Sequence, residues 1–433
     1  MLLNQVNNFL AMLRNGKRSY PELKNLQNAK LQRLVRESYA NVPYYRRLFD
    51  SVGLRPDHVK DIRDLKALPV TSKNQLQQIP LKEATSERID IDRCIQLETS
   101  GSTGVPLRLF YTKRDFSMLN MNWIRPLIAH GVRPWCRRLE ITGPHNIPRQ
   151  KNWYNYLGLW RRESISIFRS PKEWAETLAD YEPDILYGYS GSLKLLSKYI
   201  QKHRTDHKNP DFIFGVSDVV DEECRELIES AFHTRLIDLY GAAEAGCIAW
   251  ECKTCRGYHI NMDTVIIEYI KGGKAAQPGT PGNIVVTNLH SFAMPIIRYD
   301  LGDIGIASLE KPICGNDMPI LRTVNGRSDA FVVLPSGDRL SPMYFFAIMR
   351  PVKNIDRWKV IQKDIDHIAV LVIPSAGFSS ENVRQISSRI QENIEEKVHI
   401  EIRIVDEIPM EKSGKIRAVL SHVTDDFLDK PML

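Results

Sequence analysis

The chain of 433 residues predicts an α/β fold, with a large multi-layer N-terminal domain of mixed sheets and helices and a small α+β C-terminal domain. Two observations carry this. Between residues 107 and 240, short β-rich runs alternate with segments of helical period, the pattern that builds parallel sheets. Beyond residue 240 strands and Gly/Pro turns take over, and a ββαβ pattern closes the chain. At this length a single core gives way to two or three. We set the domains at 1–328 and 329–433.

The elements follow in order. Residues 1–13 carry Leu2, Leu3, Val6, Phe9, Leu10 and Met12 with Asn and Gln between them. This reads as an amphipathic helix docking on the body or a partner, since no basic lead or cleavage site marks a leader. Leu23, Leu26, Leu31, Leu34, Val35 and Tyr39 predict a helix that stops before Pro43. Strands are expected at 107–111, 185–187, 212–216 and 236–239, and helices at 114–131, 191–202 and 219–232. Strands at 265–269 and 284–288 flank a Gly/Pro-rich turn. In the tail, 360–362 and 368–373 predict a hairpin, Val383, Ile386, Ile390 and Ile394 one face of a helix, and 398–405 a strand.

Composition bounds the function. The chain is 43% hydrophobic and 26% charged, as in soluble globular proteins, and no apolar run approaches the ~20 residues of a membrane span. A cytoplasmic protein is expected. The net charge of +7 comes from 59 basic against 52 acidic residues, too mild and too dispersed for a nucleic-acid partner. Arg133, Arg137, Arg138, Arg161 and Arg162 read as solvated surface. Seven cysteines, odd in number and sparse, argue against a disulfide framework.

Five segments carry chemistry. Thr99-Ser100-Gly101-Ser102-Thr103-Gly104 is a hydroxyl-rich glycine loop whose backbone N–H groups can approach a phosphate. It lacks the Gly-Lys-Ser/Thr closure of a Walker loop, so neutralising charge must come from elsewhere. Tyr240-Gly241-Ala242-Ala243-Glu244 offers a glycine turn for a flat base and a carboxylate for Mg²⁺. Asp300 and Asp303 stand beside Gly302, suited to paired ribose hydroxyls. Arg327 places a permanent cation at the domain junction. Lys415 lies in a Lys-Ser-Gly-Lys run near the end of the chain.

In this order, and with Asn41-Val42-Pro43-Tyr44-Tyr45-Arg46 preceding them, the segments resemble the adenylate-forming ligase superfamily. Within it the chain is similar to the phenylacetate–CoA ligase branch and its capsule-biosynthesis-associated relatives, over nearly its whole length. The resemblance implies ATP, Mg²⁺ and coenzyme A as cofactors and a small carboxylic acid as substrate, with a homodimer left open. Thr99 to Gly104 would bind the phosphates, and Tyr240, Gly241 and Ala242 the adenine. Glu244 would link to Mg²⁺, Asp303 would grip the ribose with Asp300 as a weaker substitute, and Arg327 would lie near ribose and phosphates. Asp329 would be the hinge of a mobile C-terminal domain, and Lys415 the lysine bridging the acid and the α-phosphate.

Adenylation followed by transfer to coenzyme A is the leading expectation. Transfer to a sugar hydroxyl, an amine or a carrier-protein thiol, in cell-surface polysaccharide or natural-product biosynthesis, is the second. A nucleotide-binding protein without turnover is the third. Two departures from the family pattern bear on the substrate. Val216-Ser217-Asp218 leaves the wall of the adenine pocket open. The stretch 140–170, with Trp153, Tyr154, Tyr156 and Trp160, either lines the acid pocket or packs in the core.

The cysteines supply a sixth feature. Cys252 and Cys255 form a C-x-x-C followed by His259, and Cys314 precedes a glycine. Two thiolates on a turn, an imidazole and a distant thiolate close a tetrahedral structural Zn²⁺ site. The alternative is reduced, unliganded cysteines. Cys247 is the spare ligand, though its small apolar neighbours suggest a buried strand thiol.

Overall fold

Pro43 stops one helix and starts the next. The helix Tyr20–Asn41 starts at a capping-box pair, in which Ser19 N and Oγ both donate to Glu22 Oε2, at 2.9 and 2.7 Å. The helix Pro43–Ser51 then begins on the proline itself, whose missing N–H costs nothing at a first turn. Leu31, Leu34, Val35, Tyr45 and Phe49 from this pair are fully buried in one cluster. The first helix, Leu2–Asn15, is fixed at its end by Asn15, whose Nδ2 donates to Asp263 at 2.8 Å.

The structure, a computed structural model, describes residues 2–99, 107–143, 146–147, 153–167, 169–217, 220–254, 257–327, 332–335, 339–340, 345, 348–349, 351–391, 398–408 and 418–423. A hairpin of β1 (Ile95–Glu98) and β2 (Arg108–Tyr111) precedes the main sheet. The sheet's parallel half is β3 (Arg138–Thr142), β4 (Arg162–Ser166), β5 (Ile185–Tyr189), β6 (Phe212–Val216) and β7 (Leu236–Ala242). It continues through β8 (Gly246–Glu251), β9 (Tyr258–Ile260), β10 (Val265–Lys271), β11 (Lys274–Ala275), β12 (Pro281–Asn288), β13 (Tyr299–Ala307) and β14 (Ile320–Arg327). The twelve strands lie in the order β11-β10-β12-β13-β14-β9-β8-β7-β6-β5-β3-β4.

At β7 the sheet changes sense. It pairs parallel with β6 and antiparallel with β8, and it divides two cores. Leu239, Cys247 and Trp250 face the core under the parallel half, while Tyr240, Ile248 and Ala249 face the core of the antiparallel half.

A second sheet is built from β17 (Ile355–Asp364), β18 (His367–Pro374), β19 (His399–Ile404) and β20 (Val419–Ser421), after the two-stranded β15 (Val332–Val333) and β16 (Arg339–Leu340). Its order is β19-β18-β17-β20, and Ile386 and Ile390 of the helix Ser380–Gln391 enter its core. The tail is therefore ββαββ, one strand richer than the sequence pattern. The chain divides into two compact units, Met1–Leu301 with Gly305–Val324 and Gly302–Ile304 with Asn325–Leu433. Among the described residues, no helix is long and apolar enough to cross a membrane.

Candidate active site and metal centre

The base of the glycine loop is a closed neck. Glu98 pairs with Arg108 in the β1–β2 ladder. One step further, Thr99 N donates to Leu107 O and Leu107 N donates to Thr99 Oγ1, both at 3.0 Å. The hydroxyl of Thr99 thus serves as a staple at the neck. Ser100, Gly101, Ser102, Thr103 and Gly104 lie outside the described residues.

The turn after β7 is the best-defined part of the site. The β7–β8 register shifts between Tyr240 and Gly241, and Gly241 then pairs with Cys247. A Cβ on Gly241 would stand 2.5 Å from Gly246 O and 2.6 Å from the Trp123 ring, so glycine is required by close approach. Gly246 takes φ +69°, which closes the turn. Two side chains absent from the sequence-derived site hold its backbone. Tyr111 Oη donates to Ala243 O at 2.8 Å, and Asn288 Nδ2 donates to Glu244 O at 2.8 Å. Nothing in the local sequence marks either residue, because both arrive from distant strands. Glu244 is buried, and its charge, after burial itself, contributes to raising the Tyr111 hydroxyl well above its ordinary range. Gly241→Ala is expected to fold while displacing the turn, with adenine-nucleotide affinity reduced at least tenfold by calorimetry. Unchanged affinity would remove this turn from the nucleotide site.

The other expected contacts are placed unevenly. Asp303 sits half-buried on β13, in the smaller unit. Asp300 N donates to Thr71 O at 2.9 Å, and Asp300 Oδ2 accepts from Asn283 at 3.4 Å, so Asp300 has a structural engagement. Arg327 ends β14, with its side chain outside the described residues. Asp329, Lys415 and Asp218 also lie outside them. Ser217, in the departing segment, adopts φ +76°, a conformation that non-glycine residues rarely take.

The arginine cluster is more internally engaged than solvated surface implies. Arg138 and Arg162 both pair with the buried Glu140, at 2.8 and 3.2 Å. Arg137 lies over the Tyr181 ring, 4.5 Å from its centroid. Of the aromatic stretch, Trp160 packs against the core of the parallel half, while Tyr156 is 79% exposed. Tyr156 thus does not pack in the core.

Three of the four candidate metal ligands converge. One ligand atom each from Cys252, His259 and Cys314 lie within 4.8 Å of one another. His259 Nε2 is 3.1 Å from Cys314 Sγ, and Nδ1 is 3.0 Å from Met318 O. A backbone carbonyl on Nδ1 turns Nε2 toward Cys314, the usual outer support of a metal-bound histidine. Burial lowers the His259 pKa, which favours the neutral, ligating form. Trp250 packs on the imidazole with ring centroids 4.8 Å apart. Cys255 lies outside the described residues. Cys247 is fully buried on β8, its Sγ 3.6 Å from Ala249 O, and burial pushes its thiol far above the ordinary range.

Comparison with known proteins adds an independent line. The family model of the CapK C-terminal domain matches residues 332–422. Phenylacetate-coenzyme A ligase of Thermus thermophilus is 24% identical over 437 residues, covering 92% of this chain and 96% of that protein. The enzyme of the same name from Aromatoleum evansii is 28% identical, covering 73% of each chain. Protein CapK of Staphylococcus aureus is 20% identical, covering 93% and 90%. A crystal structure of 2-hydroxyisobutyryl-CoA ligase with its acyl-adenylate has the same fold, with TM-score 0.76, 17% identity and coverage of 94% and 91%. Over most of its length the chain is thus similar to phenylacetate–CoA ligases and to a CapK protein. It shares its fold with acyl-CoA ligases of the adenylate-forming type.

Proposed function

We propose that the chain activates a small carboxylic acid with ATP and passes the acyl group to coenzyme A. A carboxylate oxygen attacks the α-phosphorus, the bond to pyrophosphate breaks, and an acyl-adenylate forms. The thiol then attacks the acyl carbonyl and AMP leaves. The observation that carries this reading is the glycine turn Tyr240–Glu244, held at the seam of the sheet by Tyr111, Trp123 and Asn288. A base can lie flat on backbone there, and Glu244 follows within one turn.

Two anions must meet in the first step, so cationic charge is needed where negative charge develops. Glu244 would hold Mg²⁺, which neutralises phosphate charge when bound. Lys415 would bridge the carboxylate and the α-phosphate, the loop 99–104 would cradle the β- and γ-phosphates, and Asp303 would hold the ribose. Arg327 would lie near ribose and phosphates, with Asp329 as the hinge between the domains 1–328 and 329–433.

Topology suggests where the acid binds. The chain runs from β3 outward to β4, then returns to β5 on the other side of β3. In open α/β sheets ligands collect at the carboxyl ends of strands where the order reverses. That crevice lies after Thr142 and Tyr189.

Exchange of labelled pyrophosphate into ATP across a panel of acids tests the reading. Exchange dependent on one acid class is expected; ATP binding without exchange for any acid would overturn it. A second reading changes the last step alone, with a sugar hydroxyl, an amine or a carrier thiol as acceptor. Acyl-CoA formation on addition of coenzyme A separates the two. Cys252, His259 and Cys314 fit a structural Zn²⁺ by donor type and convergence, and Cys255 would be the fourth ligand. One zinc per chain is expected by elemental analysis after gentle purification, and its absence would dismiss the site. A cytoplasmic setting suits these reduced thiols.

A further inference from the structure

The metal cluster and the nucleotide turn lie at opposite ends of one strand. Strand β8 leaves the turn at Gly246 and delivers Cys252 immediately after Glu251. Across the ladder, Trp250 pairs with Leu239 on one side and with His259 on the other, and Glu251 pairs with Tyr258. A compact polar network spans the same three strands. Tyr258 Oη donates to Asp238 Oδ2 at 2.7 Å, and Asp238 N donates to Glu251 Oε2 at 3.0 Å. Arg225 donates to Glu251 Oε2 at 3.0 Å and Arg235 to Glu251 Oε1 at 2.9 Å. Arg235 also reaches the carbonyls of Lys253 and Cys252, at 2.6 and 3.2 Å.

Tyr258 is thus the residue before one metal ligand, and Asp238 stands two residues before the adenine turn. Asp238 is buried, so its carboxyl has little water to replace a lost partner, and a misplaced Tyr258 moves the strand that carries Tyr240. The adenylating chemistry has no use for this network.

We propose that Tyr258 and Asp238 are positioning residues that couple metal occupancy at Cys252, His259 and Cys314 to nucleotide binding at Tyr240–Glu244. The inference rests on the metal and nucleotide readings above. Metal fixes His259, His259 fixes the register of β9, and the Tyr258–Asp238 bond carries that register to the end of β7.

Coupling between two equilibria is reciprocal, so each ligand tightens the other by the same factor. In competition with a chromophoric chelator, zinc affinity is expected to rise about fivefold or more when AMP is saturating. AMP affinity by calorimetry rises by the same factor on adding zinc. Tyr258→Phe keeps the ring and removes only the donor, so it is expected to bind both ligands with the coupling factor reduced to near one. Equal zinc affinity with and without AMP overturns the proposal, as does undiminished coupling in Tyr258→Phe. Unfolding of the metal-free chain, read by near-ultraviolet circular dichroism, overturns it too, since the linkage would then be that of folding itself. Failure to bind zinc, or failure to bind AMP, also overturns it, and the separate titrations show which underlying reading has failed.

Discussion

Replacing Lys415 with alanine is expected to lower acid-dependent pyrophosphate exchange by roughly 10²–10³, the usual cost of removing a charge partner from a transition state. The physical demand is specific to the first step, where a carboxylate approaches a polyanionic phosphate. Thioester formation from a synthetic acyl-adenylate has no such encounter, so that half-reaction should stay within a few-fold of the parent protein. The split between half-reactions is the diagnostic quantity. Equal losses in both, in a variant with unchanged thermal stability, would show that Lys415 has no step-specific role.

The second large effect is on stability. Arg125→Met is expected to lower the unfolding free energy by about 3–5 kcal/mol, as measured by denaturant titration at pH 7, because it leaves a charge buried without its partner. Arg125 meets Asp263 at 2.6 Å, with side-chain exposures of 6% and 1%. Asp263 also accepts from the Asn15 amide, and its backbone carbonyl accepts from Lys30. Adding Asp263→Leu to Arg125→Met should recover part of the loss. A single variant as stable as the parent would mean that the pair is dispensable.

The same pair fixes a pH dependence. The Arg125 guanidinium, Lys30 and the Asn15 amide outweigh burial and hold the Asp263 carboxyl well below its ordinary range. A depressed carboxylate contributes stability above its unfolded pKa of about 4 and loses it as pH falls toward the folded value. Acid titration below pH 4 should therefore destabilise the parent protein more steeply than the double variant.

Much of this fold was legible because local chemistry and global packing agree. The alternation of 185–239 returns as parallel strands of the sheet, with Phe212–Val216 at the expected residues, whereas 108–111 pairs antiparallel with β1 in a separate hairpin. The unmarked strands are instructive. Gly-Cys-Ile-Ala-Trp-Glu of β8 has almost no polar face to alternate with, since it is covered on both sides, and such runs lack the period that identifies a half-exposed strand. Strand β3 was hidden for another reason. Its Glu140 reads as exposed until Arg138 and Arg162 are seen to enclose it.

The site divides in the same way. Gly241 and His259 could be singled out because their residue type is itself the signal: close backbone approach for one, ligation for the other. Tyr111, Trp123 and Asn288 could not, because each acts from an element far along the chain, and a tyrosine or asparagine at a strand end has many ordinary uses. The carbonyl of Met318 that orients His259 carries no side-chain signature at all.

The β7–β8 hairpin, with a core on either side of it, has a consequence for how such a protein changes over generations. Most strands have a face on which substitutions drift at little cost. Positions 245–250 have none: Ala245, Ile248 and Ala249 fill one interior while Cys247 and Trp250 fill the other. Any enlargement collides and any polar replacement is stranded. Change in this hairpin is therefore expected to carry a cost at every position, and variants that alter function at little cost to folding are expected to fall outside it.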